Sequence, residues 1–152
     1  MTKKKQTDWI QKLSPYLKND QWALQFCIDV MFIAHLWDDL IDRDNFRAAE
    51  DINEAFRIAL VDIPKNPFYL AHIGDLRPVM MNVILQWQDA NVLEKGDRED
   101  RAKAFMLKAS VLQLFNYCAY LIGGPAWVFE VGPDLRRLYE ESIGGYIGEE
   151  NA

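Results

Sequence analysis

From Gln21 to Asp42 the chain carries apolar residues on nearly every side of a helix. Phe26, Val30, Ile33, Trp37 and Ile41 recur along one side, and Leu24, Ile28, Phe32 and Leu36 along another. A helix that is apolar all round has to be enclosed by other elements. No stretch of the chain sustains the alternation of a half-buried strand. The spacing therefore predicts an all-α fold: a single-domain helical bundle of about six or seven helices around a central helix at residues 21–42. The 152 residues are enough to build one such core.

Local signals place the other elements. Ser14-Pro15 reads as a helix start, and Asn19 or Asp20 offers a second start ahead of the central helix. Phe46 to Val61 is amphipathic, with Ile52, Phe56, Ala59 and Leu60 as the inward stripe and Glu50, Asp51, Glu54 and Arg57 facing water. Asn66-Pro67 opens a short helix to Ile73, and Gly74-Asp75 with Pro78 predicts a break and a restart. A helix from Arg77 to Glu94 is closed by Gly96. Asp97, with Asp100 three residues on, caps a helix that runs to Ile122 and stops at Gly123-Gly124-Pro125. Gly132-Pro133-Asp134 starts a last helix to Ser142. The domain so defined spans 1–142. Residues 143–152, glycine-rich and ending in Glu149-Glu150-Asn151-Ala152, are expected to be a mobile tail.

Charge and cysteine usage exclude some functions. The formal net charge is -6 and the pI about 4.9, which argues against nucleic-acid and anionic-membrane partners. Lys3-Lys4-Lys5, the single basic cluster, reads as a solvated terminus without the apolar run of a signal peptide after it. Cys27 and Cys118 each lie in an apolar helical run, so buried free thiols and a cytoplasmic location are expected. The apolar runs Trp22–Trp37 and Phe105–Ile122 are interrupted by Gln25, Asp29 and His35 and by Lys108, Gln113 and Asn116. They read as bundle helices and not as membrane spans. Five Trp, six Tyr and eight Phe favour either an aromatic core or an apolar ligand cavity.

The chemistry-bearing residues gather at the end of the central helix. His35, Asp38, Asp39 and Asp42 share one face, because residues three and four apart on a helix are neighbours. Like charges so placed repel unless a cation relieves them. Hard divalent ions such as Mg²⁺ or Mn²⁺ take carboxylate oxygens and keep water positions that phosphate can fill. Asp38, Asp39 and Asp42 are thus the candidate metal ligands, with His35 as a further ligand, a partner of Asp38 or Asp39 behind them, or a satisfied core histidine. Asp29, off this face, is expected to make a structural hydrogen bond.

Asp38-Asp39-Leu40-Ile41-Asp42 resembles the aspartate-rich DDxxD motif of the isoprenoid synthases, the prenyltransferases and terpene cyclases. The resemblance implies Mg²⁺ bridging to a substrate diphosphate at the mouth of an aromatic-lined cavity. It also implies a second metal motif on a facing helix and basic residues that grip the diphosphate. The nearest counterparts here are Asn82, Gln86 and Asp89, with spacings that depart from the family's, and Arg43 and Arg77 as candidate phosphate contacts.

Gln113, Asn116, Tyr117 and Tyr120 form another polar stripe. Each stripe either faces solvent or satisfies buried hydrogen bonds, or else turns with the other toward the aspartates and lines a wet pocket. The resulting expectation is metal-dependent binding, or turnover, of a phosphate- or diphosphate-bearing small molecule. One alternative is a non-enzymatic helical interaction protein, a homodimer, with a surface acidic cluster. The other is an enzyme resembling the all-α nucleotide pyrophosphatases, whose paired Glu-rich motifs are not evident in this chain.

Overall fold

The computed structural model describes residues 3–148, and among them every regular element is helical. The all-α class agrees with the spacing. Within it the chain divides into two compact units, Met1–Ile73 and Gly74–Ala152.

The first unit is built on α2, Gln21–Asp42, whose bounds match the apolar run. Asp20 starts it by accepting hydrogen bonds from the backbone of Trp22 and Ala23 at 3.0 and 2.9 Å. Arg43 ends it in the left-handed region, its N–H bonded to the Asp39 carbonyl. Phe26 and Cys27 are fully buried, and Asp29 is buried among them. Its carboxylate accepts from Gln25 Nε2 at 2.9 Å, the structural bond expected of it.

Ahead of α2 lies α1, Lys3–Leu13. Ser14-Pro15 therefore follows a helix and does not start one. Residues 14–19 form turns, with Lys18 and Asn19 at φ 50° and 59°, so a continuous helix cannot form there. Trp9, Leu13 and Leu17 are buried at intervals of four, which packs this segment as one apolar edge.

After α2 the chain continues as α3, Ala49–Arg57, a π-helical turn, Ile58–Asp62, and α4, Ile63–Lys65. The π-turn inserts a residue and rotates the helical face beyond it. Ala55, Ile58 and Ile63 are the buried residues, while Phe56 and Leu60 are 63% and 71% exposed. Of the stripe expected to face inward, Phe56, Ala59 and Leu60 face solvent and Ile52 is half-buried. Asn66 caps α5, Pro67–Ala71, as the Asn-Pro pair predicts, accepting from the Tyr69 N–H at 3.1 Å. Its amide also donates to the Trp22 carbonyl at 3.0 Å, which ties α5 to α2. Phe26 stacks on Tyr69 in the same contact.

The second unit holds α6, Ile73–Leu93, α7, Arg98–Lys108, α8, Val111–Arg136, and α9, Ile143–Ile147. Pro78 does not break α6. It stands near the start, where its missing N–H leaves only the Gly74 carbonyl without a donor. Asp97 caps α7 by accepting from the Asp100 N–H at 2.9 Å. The expected helix from there to Ile122 is interrupted at Ala109-Ser110.

Gly124, at φ 78° and ψ -175°, puts a sharp kink in α8. Helix resumes after it because Pro125 is suited to a first turn. The second half folds back: a Cβ on Gly132 would lie 3.2 Å from Asn116 Oδ1, so the two halves meet where only a glycine fits easily. Residues Arg98–Arg136 include a window apolar enough to cross a membrane, with mean hydropathy 1.3, but the break and the kink divide it. Cys27 and Cys118 are buried thiols outside any disulfide.

The stretch expected to be a tail begins as α9. Ser142 caps it, Ile147 is buried, and Tyr146 is bonded into the unit, so apolar burial holds this segment despite its glycines. Glu149-Glu150-Asn151-Ala152 lie outside the described residues.

Candidate functional site

The continuous helix to Asp42 does put His35, Asp38, Asp39 and Asp42 on neighbouring turns. Asp39, however, is already engaged. Arg47 Nε donates to it at 2.6 Å and Asn45 Nδ2 at 2.9 Å, and Arg47 Nη2 forms an ion pair with the same carboxylate. Burial pushes the Asp39 carboxyl up, but the Asn45 and Arg47 hydrogen bonds and the Arg47 and His35 charges outweigh it. They hold the group below the usual carboxylate range. The repulsion that would call for a metal ion is thus relieved at Asp39 by a guanidinium. Among the described residues no group of three or more His, Cys, Asp or Glu side chains is gathered to hold a metal ion. His35 and Asp38 are half-buried, while Asp42 and Arg43 are exposed.

The remaining candidates, Arg77, Asn82, Gln86, Asp89, Gln113, Asn116, Tyr117 and Tyr120, belong to the second unit. Arg77, Asn82 and Asp89 are exposed on α6, and Tyr120 is 40% exposed on α8. Tyr117 packs against Tyr120, ring centroids 5.5 Å apart, and desolvation raises its phenol, helped by Asp75 and Tyr120. Asn116 sits against Gly132 in the fold-back of α8.

Gln86 and Gln113 come to one cavity. They line a cavity of about 420 Å³, bounded by α6, the end of α7, the start of α8 and the segment after Arg136. This is within the usual size of small-molecule sites, roughly 300–1,000 Å³. Its apolar wall comes from Phe105, Met106, Leu112 and Tyr139. Phe105 and Tyr139 make an edge-to-face pair with centroids 5.5 Å apart, which fixes one side of that wall.

Ser110 lies at the α7–α8 break beside this cavity. It occupies the N-cap position of α8, yet its hydroxyl makes no capping bond, because its backbone is already helical at φ -64° and ψ -13°. Ser110 is 8% exposed, and its Oγ is buried without a hydrogen-bond partner. Gln86 Oε1 is buried and unpartnered in the same way. Arg136 and Glu141, both exposed, complete the lining with opposite charges. A neighbouring hollow of about 540 Å³ offers no comparable handle: its Glu99 and Lys103 are bonded to each other at 2.9 Å.

Next to the cavity lies a buried charge. Lys108 is 5% exposed, and its Nζ is 2.8 Å from Glu94 Oε2. The Tyr146 hydroxyl donates to that same oxygen at 3.0 Å. The ammonium also lies 5.7 Å from the Trp87 ring centroid and 5.9 Å from that of Tyr146. Trp87 Nε1 donates to the Lys108 carbonyl at 3.2 Å, using an acceptor that the end of α7 leaves free. Burial and the bond to Glu94 raise the Tyr146 phenol, against the opposing pull of Lys108. This cluster fixes α9 and the α7–α8 break.

Ser110, Arg136, Tyr139 and the Glu94–Lys108 pair do not stand out in the sequence as site residues. The signal available for Ser110 is a cap-forming residue inside a long apolar run, and for Lys108 a lone cation in that run. The chain matches no protein-family model, no curated protein and no solved structure.

Proposed function

We propose that this protein binds a small amphipathic molecule in the cavity between α6, α7 and α8 of the second unit. The observation that carries the reading is a cavity of about 420 Å³ with an aromatic wall of Phe105 and Tyr139 and a few polar side chains, Gln113, Arg136 and Glu141, in its lining. A largely apolar concavity of this size with a few polar groups is the usual form of a small-molecule site. The contribution of the protein is concavity, an apolar surface and a few fixed polar contacts.

Binding to the folded state raises the melting temperature by mass action. A thermal-shift screen of small aromatic and aliphatic compounds against the parent protein and an Ala109→Phe variant tests the reading. Ala109 lines the cavity, and a phenyl ring there occupies it. The expected result is a set of stabilising compounds whose effect is lost in the variant. Compounds that stabilise both proteins equally, or none that stabilises the parent, would refute the reading. The divalent-cation reading of Asp38, Asp39 and Asp42 is checked in the same assay by adding millimolar Mg²⁺. On the arrangement described, Mg²⁺ leaves the melting temperature unchanged, because Arg47 already serves Asp39.

A further inference from the structure

The charges in the cavity lining specify the ligand more closely than its size does. Resting on the binding reading above, we infer that the ligand is a zwitterion with an apolar body, an α-amino acid carrying a large apolar side chain.

Three observations lead there. The first is that the cavity presents both signs of charge. Arg136 and Glu141 line it and both are exposed, so a molecule arriving from water meets them. The second is that these charges do not close on each other. Among the described residues Arg136 forms no ion pair, with Glu141 or with any other carboxylate. Its neighbour Arg137, by contrast, is paired with Asp134, and in the adjoining hollow Lys103 is paired with Glu99 at 2.9 Å. A guanidinium matches a carboxylate in two places at once. Gln113, also exposed in the lining, brings a further amide N–H. Glu141 offers acceptors only, and a carboxylate has about four lone-pair sites, so an ammonium finds a place on it beside any neighbour it already has.

The third is the apolar wall beside these charges, formed by Phe105, Leu112 and Tyr139. A ligand with a single charge meets one attractive and one repulsive residue. A hydrocarbon fills the wall and displaces water from both charges with nothing in return. A molecule with both charges at one end and an apolar body at the other matches each part of the lining.

The experiment uses the full chain and four probes that share one phenyl-alkyl body: L-phenylalanine, 3-phenylpropanoate, 2-phenylethylamine and 2-phenylethanol. Dissociation constants are measured by ligand-observed NMR titration at neutral pH and low salt. Phenylalanine is expected to bind about fivefold more tightly than either singly charged probe, the upper scale of an exposed ion pair. In Arg136→Gln it should lose its advantage over the amine, and in Glu141→Gln its advantage over the carboxylate. Both side chains are exposed, so each variant should keep the parent's helicity, which circular dichroism checks. If any other probe binds the parent as tightly as phenylalanine, or if the advantage survives in either variant, the inference is overturned while the binding reading stands. The same holds if no probe binds but the thermal-shift screen finds compounds whose effect is lost in Ala109→Phe. If no probe binds and that screen is also blank, both fall. Should one variant fail to fold, the other and the ranking of probes on the parent decide.

Discussion

Removing the Lys108 ammonium should destabilise the second unit by much more than a surface charge would. In Lys108→Met the stem volume is kept and the charge is lost. Glu94 then holds a carboxylate whose side chain is 19% exposed, with the Tyr146 hydroxyl as its remaining donor from this cluster. Breaking a buried pair by deleting one partner costs about 3–5 kcal/mol. The partial exposure of Glu94 and its retained bond to Tyr146 place this case near the lower end, at about 3 kcal/mol. For a chain of this size that corresponds to roughly 6–12 °C in melting temperature. Removing the whole polar set at once, in Glu94→Leu, Lys108→Met and Tyr146→Phe together, leaves no orphaned charge or phenol. It should return stability to within about 1 kcal/mol of the parent. Urea unfolding followed by circular dichroism and tryptophan fluorescence reads both variants, because Trp87 lies under Lys108. A single variant within about 0.5 kcal/mol of the parent would refute the reasoning. So would a triple variant as unstable as the single one, since the cost would then come from packing and not from an unmet charge.

Two carboxylates give opposite pH behaviour. Burial raises Asp29, so its ionisation opposes folding as pH rises through its folded pKa. Asp29→Asn keeps the acceptor for Gln25 and should be more stable than the parent at pH 7, by chemical denaturation. That advantage should disappear on acidification, and an equal effect at all pH values would contradict the assignment. Asp39 is held low, so its contribution is present above the ordinary carboxylate pKa and is lost as pH falls through its folded value. Asp39→Asn should cost about 1.5–3 kcal/mol at pH 7, the range for hydrogen bonds to a charged group. The difference from the parent should shrink below about pH 4, and a difference independent of pH would count against the Arg47 bond.

What the sequence discloses is what residues a few positions apart decide among themselves. Asp20, Asn66 and Asp97 cap their helices because a short side chain and a nearby backbone N–H suffice. The central helix is legible because its apolar residues leave it one environment. The break at Ala109-Ser110 is not, because neither residue is Gly or Pro and long-range bonds at Trp87 and Lys108 hold it. The π-turn at Ile58–Asp62 is hidden for a similar reason. It changes register beyond Ile58 without any breaker residue, so an unbroken helical period puts Leu60 on the wrong side; Phe56, ahead of the turn, is exposed because Ala55 and Ile58 take the inward positions beside it. At the candidate site, the amides of Gln86 and Gln113 are visible as polar positions in apolar helices. That both line one cavity depends on how α8 starts and on where its second half goes after Gly124, and the Gly-Gly-Pro stop marks the break but not that direction. The aspartate cluster is visible too, but Arg47, eight residues from Asp39, decides its charge balance.

The fold-back of α8 turns on the handedness of one residue. At Gly124 there is room for a methyl group, since an added Cβ meets no atom within 4 Å. The obstacle is the backbone itself, whose φ of 78° and ψ of -175° lie where L-residues are strained. Reflected, the same angles fall in the extended region that every L-residue adopts with ease. A D-alanine at 124 would therefore sit at rest where L-alanine would not. The reversal that brings Arg136 back beside Leu112 and Gln113 is reserved for glycine by chirality, with the volume around it left empty.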